Sequence, residues 1–313
     1  MTLPNFFIVG APKAGTDELF YDLDQHPQIY MSPLKEPCYF SSEIRPQYFH
    51  PSLRQQAETV AASTRKYLDD GMPEKRFGGI VSDLNDYQRL FSRAKNEKAI
   101  GEGSVCYLWS KTAAAAIAST VPQARIVIVL MDPAERAYRQ YLKSVSDGTV
   151  GHDLRTHLEN ALRHGSELCV YHPFLEFGNY FEQVRRYIEG FPSRQLNVSL
   201  YEDISADRWA WFRGILSFLE VDCEFLPQQV EVPSKPHVPR LVGVSHAFRS
   251  VAITRTIKRF LPKRFLSFAK RAMERKHTPK LRPEDRAILV DYYRGDILKL
   301  QELLGRDLTA WLS

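Results

Sequence analysis

FFIVGAPKAGTD, residues 6–17, is an apolar run that breaks at Gly10 and continues through a turn bearing one lysine. The pattern predicts a strand, a turn and then a helix from Asp17 to about Gln25. A helix that begins directly after a glycine-containing loop presents unpaired backbone N–H groups, and its dipole is positive at that end. Lys13 adds a full positive charge there, so the stretch is predicted to hold a phosphate-like anion.

The spacing differs from that of the nucleoside-triphosphate P-loop. Four residues separate Gly10 from Gly15, as that motif requires, but the lysine lies inside the loop and Thr16-Asp17 follows the second glycine. The P-loop instead has lysine and then serine or threonine after its second glycine. The alternative is an ordinary first strand, turn and helix of an α/β protein, with glycines that serve only the turn. The stretch alone leaves both interpretations open.

The rest of the chain alternates predicted strands with predicted helices. Further strands are predicted at 28–31, 98–102, 125–131 and 196–201. Helices are predicted after Asp132-Pro133 and near 52–68, 84–95, 112–119, 153–164, 178–189, 206–219 and 283–304. The strand at 125–131 is apolar throughout without alternation, as is typical of a central parallel strand that is buried on both faces. We therefore expect an α/β fold with a doubly wound, mainly parallel central sheet flanked by helices, and a helical C-terminal extension.

Residues 1–232 are predicted to form the α/β core, and residues 233–313 a basic loop and helical C-terminal part of the same domain. The net charge is +5. Positive charge is concentrated in residues 240–276, where eleven lysines and arginines accompany one acid. The basic helix at 250–276 is predicted to act as a lid, with a peripheral membrane contact or a solvated face as alternatives. Nucleic acid is not expected as a partner, because no aromatic stacking platform is interleaved with these charges.

Composition also excludes several classes of protein. The sequence contains no run of about 18 apolar residues, so no membrane span is predicted. The first strand begins within a few residues of Met1, so no signal peptide is expected and a cytoplasmic location is predicted. The four cysteines contain no C-x-x-C pair, and the nine histidines show no ligand spacing. Neither a metal site nor a disulfide framework is therefore predicted.

Six segments, in their order along the chain, resemble those of bacterial sulfotransferases that use 3′-phosphoadenosine 5′-phosphosulfate (PAPS). The resemblance is carried by Pro12-Lys13-Ala14-Gly15-Thr16, Lys35-Glu36-Pro37-Cys38-Tyr39-Phe40, residues 101–108, residues 130–138, residues 201–204 with Phe218-Leu219, and residues 303–312. It covers almost the whole length. No single segment is decisive, but six in the correct order are a specific signal.

The resemblance implies a sulfotransferase that moves a sulfuryl group from PAPS, as co-substrate, to a hydroxyl or amine of a small-molecule or carbohydrate acceptor. In-line transfer depends mainly on positioning and on stabilising the charge of the leaving phosphate. By resemblance, Lys13 neutralises the departing nucleotide and Glu36 is the base that takes the acceptor's proton. The 5′-phosphate is then held by the loop and helix start, comprising Lys13, Ala14, Gly15, Thr16 and Asp17.

The chain departs from the family pattern at three positions in the donor site. Asp17 stands where threonine or serine is usual, and a carboxylate beside a phosphate is unfavourable unless it caps the helix or contacts another group. Met131 stands where the family has its 3′-phosphate arginine, and Arg139 where a serine is expected. We expect Arg139 to bind the 3′-phosphate in place of the missing arginine. The alternative function is a protein of the same fold that has lost or changed its use of the donor.

The resemblance also implies residues on the acceptor side and in a closing loop. Cys38 and Gly103 replace larger residues of the family and, with Ser104, are predicted to lie near the acceptor. For Cys38 the preferred alternative is simple packing in the core. Lys235 and Arg240 are predicted to close over the nucleotide.

Overall fold

The computed structural model describes residues 2–49, 51–147, 149–151, 153–164, 174–228 and 280–313. Lys235, Arg240 and the basic segment 250–276 lie outside the described residues, and so does the predicted boundary after residue 232. The predictions made for them stay predictions.

The described residues contain seven strands in two parallel sheets. In chain order they are β1 (Phe6–Gly10), β2 (Ile29–Met31), β3 (Leu34–Lys35), β4 (Arg76–Phe77), β5 (Ala99–Gly103), β6 (Arg125–Leu130) and β7 (Leu196–Leu200). The central sheet has the order β2-β5-β1-β6-β7, and every neighbouring pair in it is parallel. Strands β3 and β4 form a separate two-stranded parallel sheet that the sequence did not predict.

Helices cover the central sheet. Over the described residues they are α1 (Thr16–Asp24), α2 (Pro51–Asp69), α3 (Leu84–Arg89), α4 (Cys106–Trp109), α5 (Ala113–Thr120), α6 (Pro133–Asp147), α7 (Leu154–His164), α8 (Tyr180–Gly190), α9 (Tyr201–Ala206), α10 (Arg208–Phe218) and α11 (Pro283–Leu304). The predicted doubly wound, mainly parallel α/β fold with a helical C-terminal extension is confirmed. None of the described helices has both the length and the apolar character needed to cross a membrane.

Local differences from the predicted elements have identifiable causes. The helix predicted at 206–219 is α10, and the short helix α9 before it was not predicted. Asp207, whose extended backbone ends α9, separates the two helices. Its carboxylate then accepts the N–H groups of Trp209 and Ala210 and caps the second helix. The helix predicted at 84–95 ends at Arg89, and the one-turn helix α4 was not predicted.

The central strand β1 positions the site. All five of its residues are buried, and so are all but the first residue of β6. From β1 the chain runs to the sheet edge at β2, returns to β5, and then crosses to β6 and β7 on the other side of β1. The connections that follow the neighbouring strands β1 and β6 therefore leave in opposite directions, which opens a crevice at the carboxyl ends of these two strands. In open parallel sheets ligands bind in this crevice.

The C-terminal extension is anchored to the starts of two core helices. Arg286 of α11 forms an ion pair of 2.7 Å with Asp132, the residue that caps α6. Arg306 bonds both carboxylate oxygens of Asp203 in α9, at 2.7 and 2.8 Å. The indole N–H of Trp311 donates to Glu202 in the same helix at 2.9 Å. The extension thus fixes α6 and α9 from outside the sheet.

The stability of the fold is expected to depend on pH through the carboxyl group of Asp296. It lies on α11, and its two carboxylate oxygens accept the N–H of Phe181 at 3.2 and 3.1 Å. Burial raises the pKa of this carboxyl to about 6, although the backbone bonds oppose the rise. The folded protein therefore binds this proton more tightly than the unfolded chain, and stability falls as pH rises from about 4 to about 6.

Asp296→Asn is expected to remove that loss, because the amide oxygen still accepts an N–H but carries no charge. The free energy of unfolding in urea should exceed that of the unmodified protein by about 1–2 kcal/mol at pH 8 and by little at pH 4. Asp291→Asn, at an exposed position of the same helix, is the matched control. A gain of equal size at both pH values would contradict the prediction.

Candidate active site

The loop after β1 has the backbone of an anion-binding turn. Gly15 has a φ of 88° and precedes the first residue of α1, and Lys13 also lies in the left-handed region, with a φ of 72°. Gly10 is required for a different reason, since an added Cβ would lie 2.7 Å from Cβ of Leu108. The first-turn N–H groups of α1, from Thr16 onward, have no acceptor within the helix. In a helix these groups point toward the N-terminus, and that of α1 follows the loop at the end of β1.

Lys35, at the end of β3, connects the start of α1 to Glu36 through its ammonium group. Its Nζ lies 2.5 Å from Asp17 Oδ1 and 3.6 Å from Glu36 Oε1. The side chain is buried, and its ammonium lies 5.9 and 5.7 Å from the ring centroids of Phe20 and Phe77. Burial lowers the pKa of Lys35, but the carboxylates of Asp17 and Glu36 outweigh that effect and the net shift is upward. The unusual carboxylate at position 17 therefore has a fixed cationic partner.

Lys13 lies in the same electrostatic cluster. It is half-buried, and burial lowers its pKa against the opposing effects of Asp17 and Glu36. The ammoniums of Lys143 and Lys35 lower it further. A lysine held among other cations and partly removed from water favours an incoming anion. The structure thus brings together the loop lysine and the carboxylate that the sequence proposed as its catalytic partner.

Glu36 combines a raised pKa with access to solvent. Its Oε2 accepts the N–H of Val105 at 3.1 Å, and about a quarter of its side chain is exposed. Burial raises the pKa of Glu36, Lys35 lowers it, and the charge of Asp17 raises it again. A carboxylate with these properties is suited to accept a proton from a substrate.

The segment that carries Glu36, residues 36–40, is here called the strap. Besides the bond from Val105 to Glu36, two N–H groups of the strap donate to the end of β5 and to α4. Cys38 N–H donates to Ser104 Oγ at 3.1 Å, and Phe40 N–H donates to the Tyr107 hydroxyl at 3.2 Å. Every second residue of the strap is therefore held in place. This bonding fixes Glu36 relative to the loop after β1.

A buried carboxylate, that of Glu102, is linked to the strap through the hydroxyl of Ser104. Glu102, at the end of β5, accepts hydrogen bonds from Tyr87 and Ser104, both at 3.1 Å. Burial raises the pKa of Glu102 to about 7, although the hydroxyls of Tyr107, Ser104 and Tyr87 lower it. Sequence reasoning assigned no role to Glu102 or to Lys35. For Glu102 the available signal was a carboxylate at the end of the predicted strand 98–102.

Arg139 lies on the other side of the loop. Its guanidinium is 4.6 Å from the ring centroid of Tyr201, and its Nε is 3.4 Å from Glu135 Oε1. The ring of Tyr201 lies beside Gly15, since a Cβ at that glycine would be 3.5 Å from it. Met131, by contrast, is buried and carries no charge. Arg139, which the sequence offered as the substitute for the missing arginine, therefore lies beside Tyr201 and is partly exposed.

The residues predicted near the acceptor contact the strap and Lys35. A Cβ at Gly103 would lie 3.5 Å from Lys35 Cε and 3.3 Å from the ring of Phe20. The Ser104 hydroxyl is shared between Cys38 N–H and Glu102. Cys38 itself is buried. Their contact with an acceptor stays a prediction.

The chain is similar to several known proteins. A family model described as "Sulfotransferase family" matches residues 4–224. Human carbohydrate sulfotransferase 15 is 23% identical over 345 residues, covering 99% of this chain and 54% of that protein. Mouse bifunctional heparan sulfate N-deacetylase/N-sulfotransferase 4 is 25% identical over 319 residues, covering 99% of this chain but 31% of its own length. The crystal structure of a sulfotransferase from Alicyclobacillus acidocaldarius superposes with a TM-score of 0.70 at 27% identity, with both chains fully covered.

Proposed function

The chain belongs to the sulfotransferase family, and on that premise we propose that it transfers a sulfuryl group from PAPS to a hydroxyl or amine of a carbohydrate or other small-molecule acceptor. The observation that carries the proposal is the cluster at the head of α1, where Lys35 lies 2.5 Å from Asp17 and 3.6 Å from Glu36, and where Lys13 belongs to the same group of charges. Lys13 suits the leaving nucleotide, and Glu36 suits the attacking acceptor.

The proposed reaction is an in-line displacement. The acceptor oxygen or nitrogen forms a bond to sulfur while the bond from sulfur to the bridging phosphate oxygen breaks. Glu36 takes the acceptor's proton, and the electron pair of the broken bond stays on the nucleotide phosphate. Lys13 and the first-turn N–H groups of α1 stabilise that growing negative charge. Lys35 keeps Glu36 oriented through its ion pair.

A carbohydrate acceptor is supported by the names of the relatives, which include a carbohydrate sulfotransferase and a heparan sulfate N-sulfotransferase. The chain spans about half the length of the first protein and less than a third of the second. Its own acceptor is therefore proposed only as a class. A bacterial source and a cytoplasmic location stay predictions.

The alternative of a protein that no longer uses the donor rested on Asp17 and Met131. The ion pair between Asp17 and Lys35 removes the electrostatic objection to Asp17. Isothermal titration calorimetry with 3′-phosphoadenosine 5′-phosphate (PAP) tests whether the chain binds the donor nucleotide. Assays of radiolabelled sulfate transfer to a panel of sugars, amino sugars and phenols then test the reaction. Binding of PAP and transfer to a panel member are expected. No heat of binding would instead support the alternative.

Arg139 is proposed to bind the 3′-phosphate, and the two nucleotides PAP and adenosine 5′-phosphate isolate that contact. Hydrogen bonds to charged groups contribute about 1.5–3 kcal/mol, so Arg139→Ala is expected to weaken PAP binding roughly 10- to 100-fold. Adenosine 5′-phosphate lacks the 3′-phosphate, and its affinity should change less than about twofold. Arg155→Ala, an exposed arginine of α7 paired with Glu159, is the control. An equal loss for both nucleotides would place Arg139 elsewhere in the site.

A further inference from the structure

Two of the four cysteines of the chain meet beside Glu36. One carboxylate oxygen of Glu36 and the sulfurs of Cys38 and Cys106 all lie within 4.8 Å of one another. Both thiols are buried, while Glu36 is partly exposed. Cys38 belongs to the strap and Cys106 begins α4, so the three groups come from the same two segments that the strap's hydrogen bonds join.

The size of this triangle suits a metal ion. Sides of at most 4.8 Å put the centre about 2.8 Å or less from each ligand atom, and Zn²⁺–S bonds are ~2.3 Å long. A contraction of about half an ångström would therefore close the site. Two sulfurs and one carboxylate oxygen form a donor set for a borderline-soft divalent cation, whereas Mg²⁺ and Ca²⁺ prefer oxygen ligands.

The local charges allow such an ion. Lys13 and Lys35 supply two positive charges at the cluster, and a divalent cation would add two more. With both cysteines bound as thiolates, they and the carboxylates of Glu36 and Asp17 supply four negative charges. The cluster is then neutral. Glu36 is partly exposed, so an ion can reach the cluster from solvent.

We propose that Glu36, Cys38 and Cys106 form a site for a zinc-class divalent cation. An ion bound there occupies the carboxylate of Glu36, so it withdraws the base from proton transfer and inhibits the reaction. The inhibitory part rests on the proposed function, whereas binding of the ion does not. Spacing in the sequence predicts no metal site, because the two cysteines are far apart along the chain and meet only through the strap.

Cobalt(II) absorbance tests the site directly. The reduced protein, without nucleotide, is titrated with Co²⁺ while thiolate-to-cobalt charge-transfer absorption is followed in the near ultraviolet. One equivalent of Co²⁺ per chain is expected to produce the band, and one equivalent of Zn²⁺ to abolish it. Cys38→Ser and Cys106→Ser should each weaken Co²⁺ binding at least about tenfold, a typical effect of damage at a metal site.

The double variant Cys169→Ser/Cys223→Ser is the matched control, because it leaves only the two thiols of the site. It should keep the band and its stoichiometry. Absence of the band in the unmodified protein, or its persistence in both single variants, would overturn the proposal.

A transfer assay with and without Zn²⁺ separates this proposal from the proposed function. Zn²⁺ should inhibit the double control variant and inhibit Cys106→Ser at least about tenfold less strongly, each compared with its own rate without metal. A cobalt band with no transfer to any acceptor would reject the proposed function alone. Transfer that Zn²⁺ inhibits equally in both variants would reject the metal site as the cause of inhibition.

Discussion

Glu36→Gln is expected to lower kcat for sulfuryl transfer about a thousandfold, because general-base catalysis contributes 10²–10⁴-fold. Glutamine has the size of glutamate, and its amide oxygen can still accept the N–H of Val105 that Glu36 accepts at 3.1 Å. It cannot take a proton from the acceptor. Affinity for PAP should not fall, since the strap's other hydrogen bonds remain and the charge that is removed is negative.

The matched control is Glu58→Gln, at an exposed position of α2. Its kcat is expected to equal that of the unmodified enzyme. Initial rates at saturating PAPS and calorimetric titration with PAP separate the chemical step from donor binding. If Glu36→Gln kept more than about a tenth of the rate, another group would have to be the base.

Lys13→Met is expected to lower kcat about 100- to 1,000-fold and to weaken PAP binding as well, because removal of one preorganised donor to a developing oxyanion costs 10²–10³. Methionine keeps most of the side-chain length but no charge. Burial lowers the pKa of Lys13, so its charge is unfavourable in the protein without nucleotide. The melting temperature of the nucleotide-free variant should therefore equal or exceed that of the unmodified protein.

That stability measurement distinguishes a lost contact from a damaged fold. Lys66→Met is the control, since Lys66 of α2 is 76% exposed and pairs with Asp70, the residue that follows this helix. It should leave transfer and PAP binding unchanged. A Lys13→Met protein that binds PAP normally and transfers sulfate at the original rate would contradict the role given to the loop.

The elements that the sequence predicted well are those decided by local chemistry. The apolar stretch before Gly10 and the helix after Gly15 follow from hydrophobicity and turn residues within residues 6–17. The uninterrupted apolar run of β6 indicated a central parallel strand. Parallel strands place their carboxyl ends at one edge of the sheet, so the position of the site followed from the same pattern.

The parts that were not predicted depend on contacts between distant segments. Lys35 meets Asp17 only because the end of β3 packs beside the start of α1, and no spacing rule connects the two positions. Cys38 and Cys106 come together in the same way, through the strap. In the sequence, Asp17 appears only as an unfavourable negative charge beside a predicted phosphate site. Its partner Lys35 is evident only from the folded structure.

The anchoring of α11 has a consequence for synthesis of the chain. Asp132 starts the helix that carries Arg139, Asp203 lies in the helix that carries Tyr201, and both acids bond to arginines beyond residue 280. Until residues 283–306 have emerged from the ribosome, the nascent polypeptide can form the described sheet, but α6 and α9 lack these two ion pairs. If Arg139 binds the donor as proposed, donor binding during translation should therefore lag behind formation of this sheet until α11 docks.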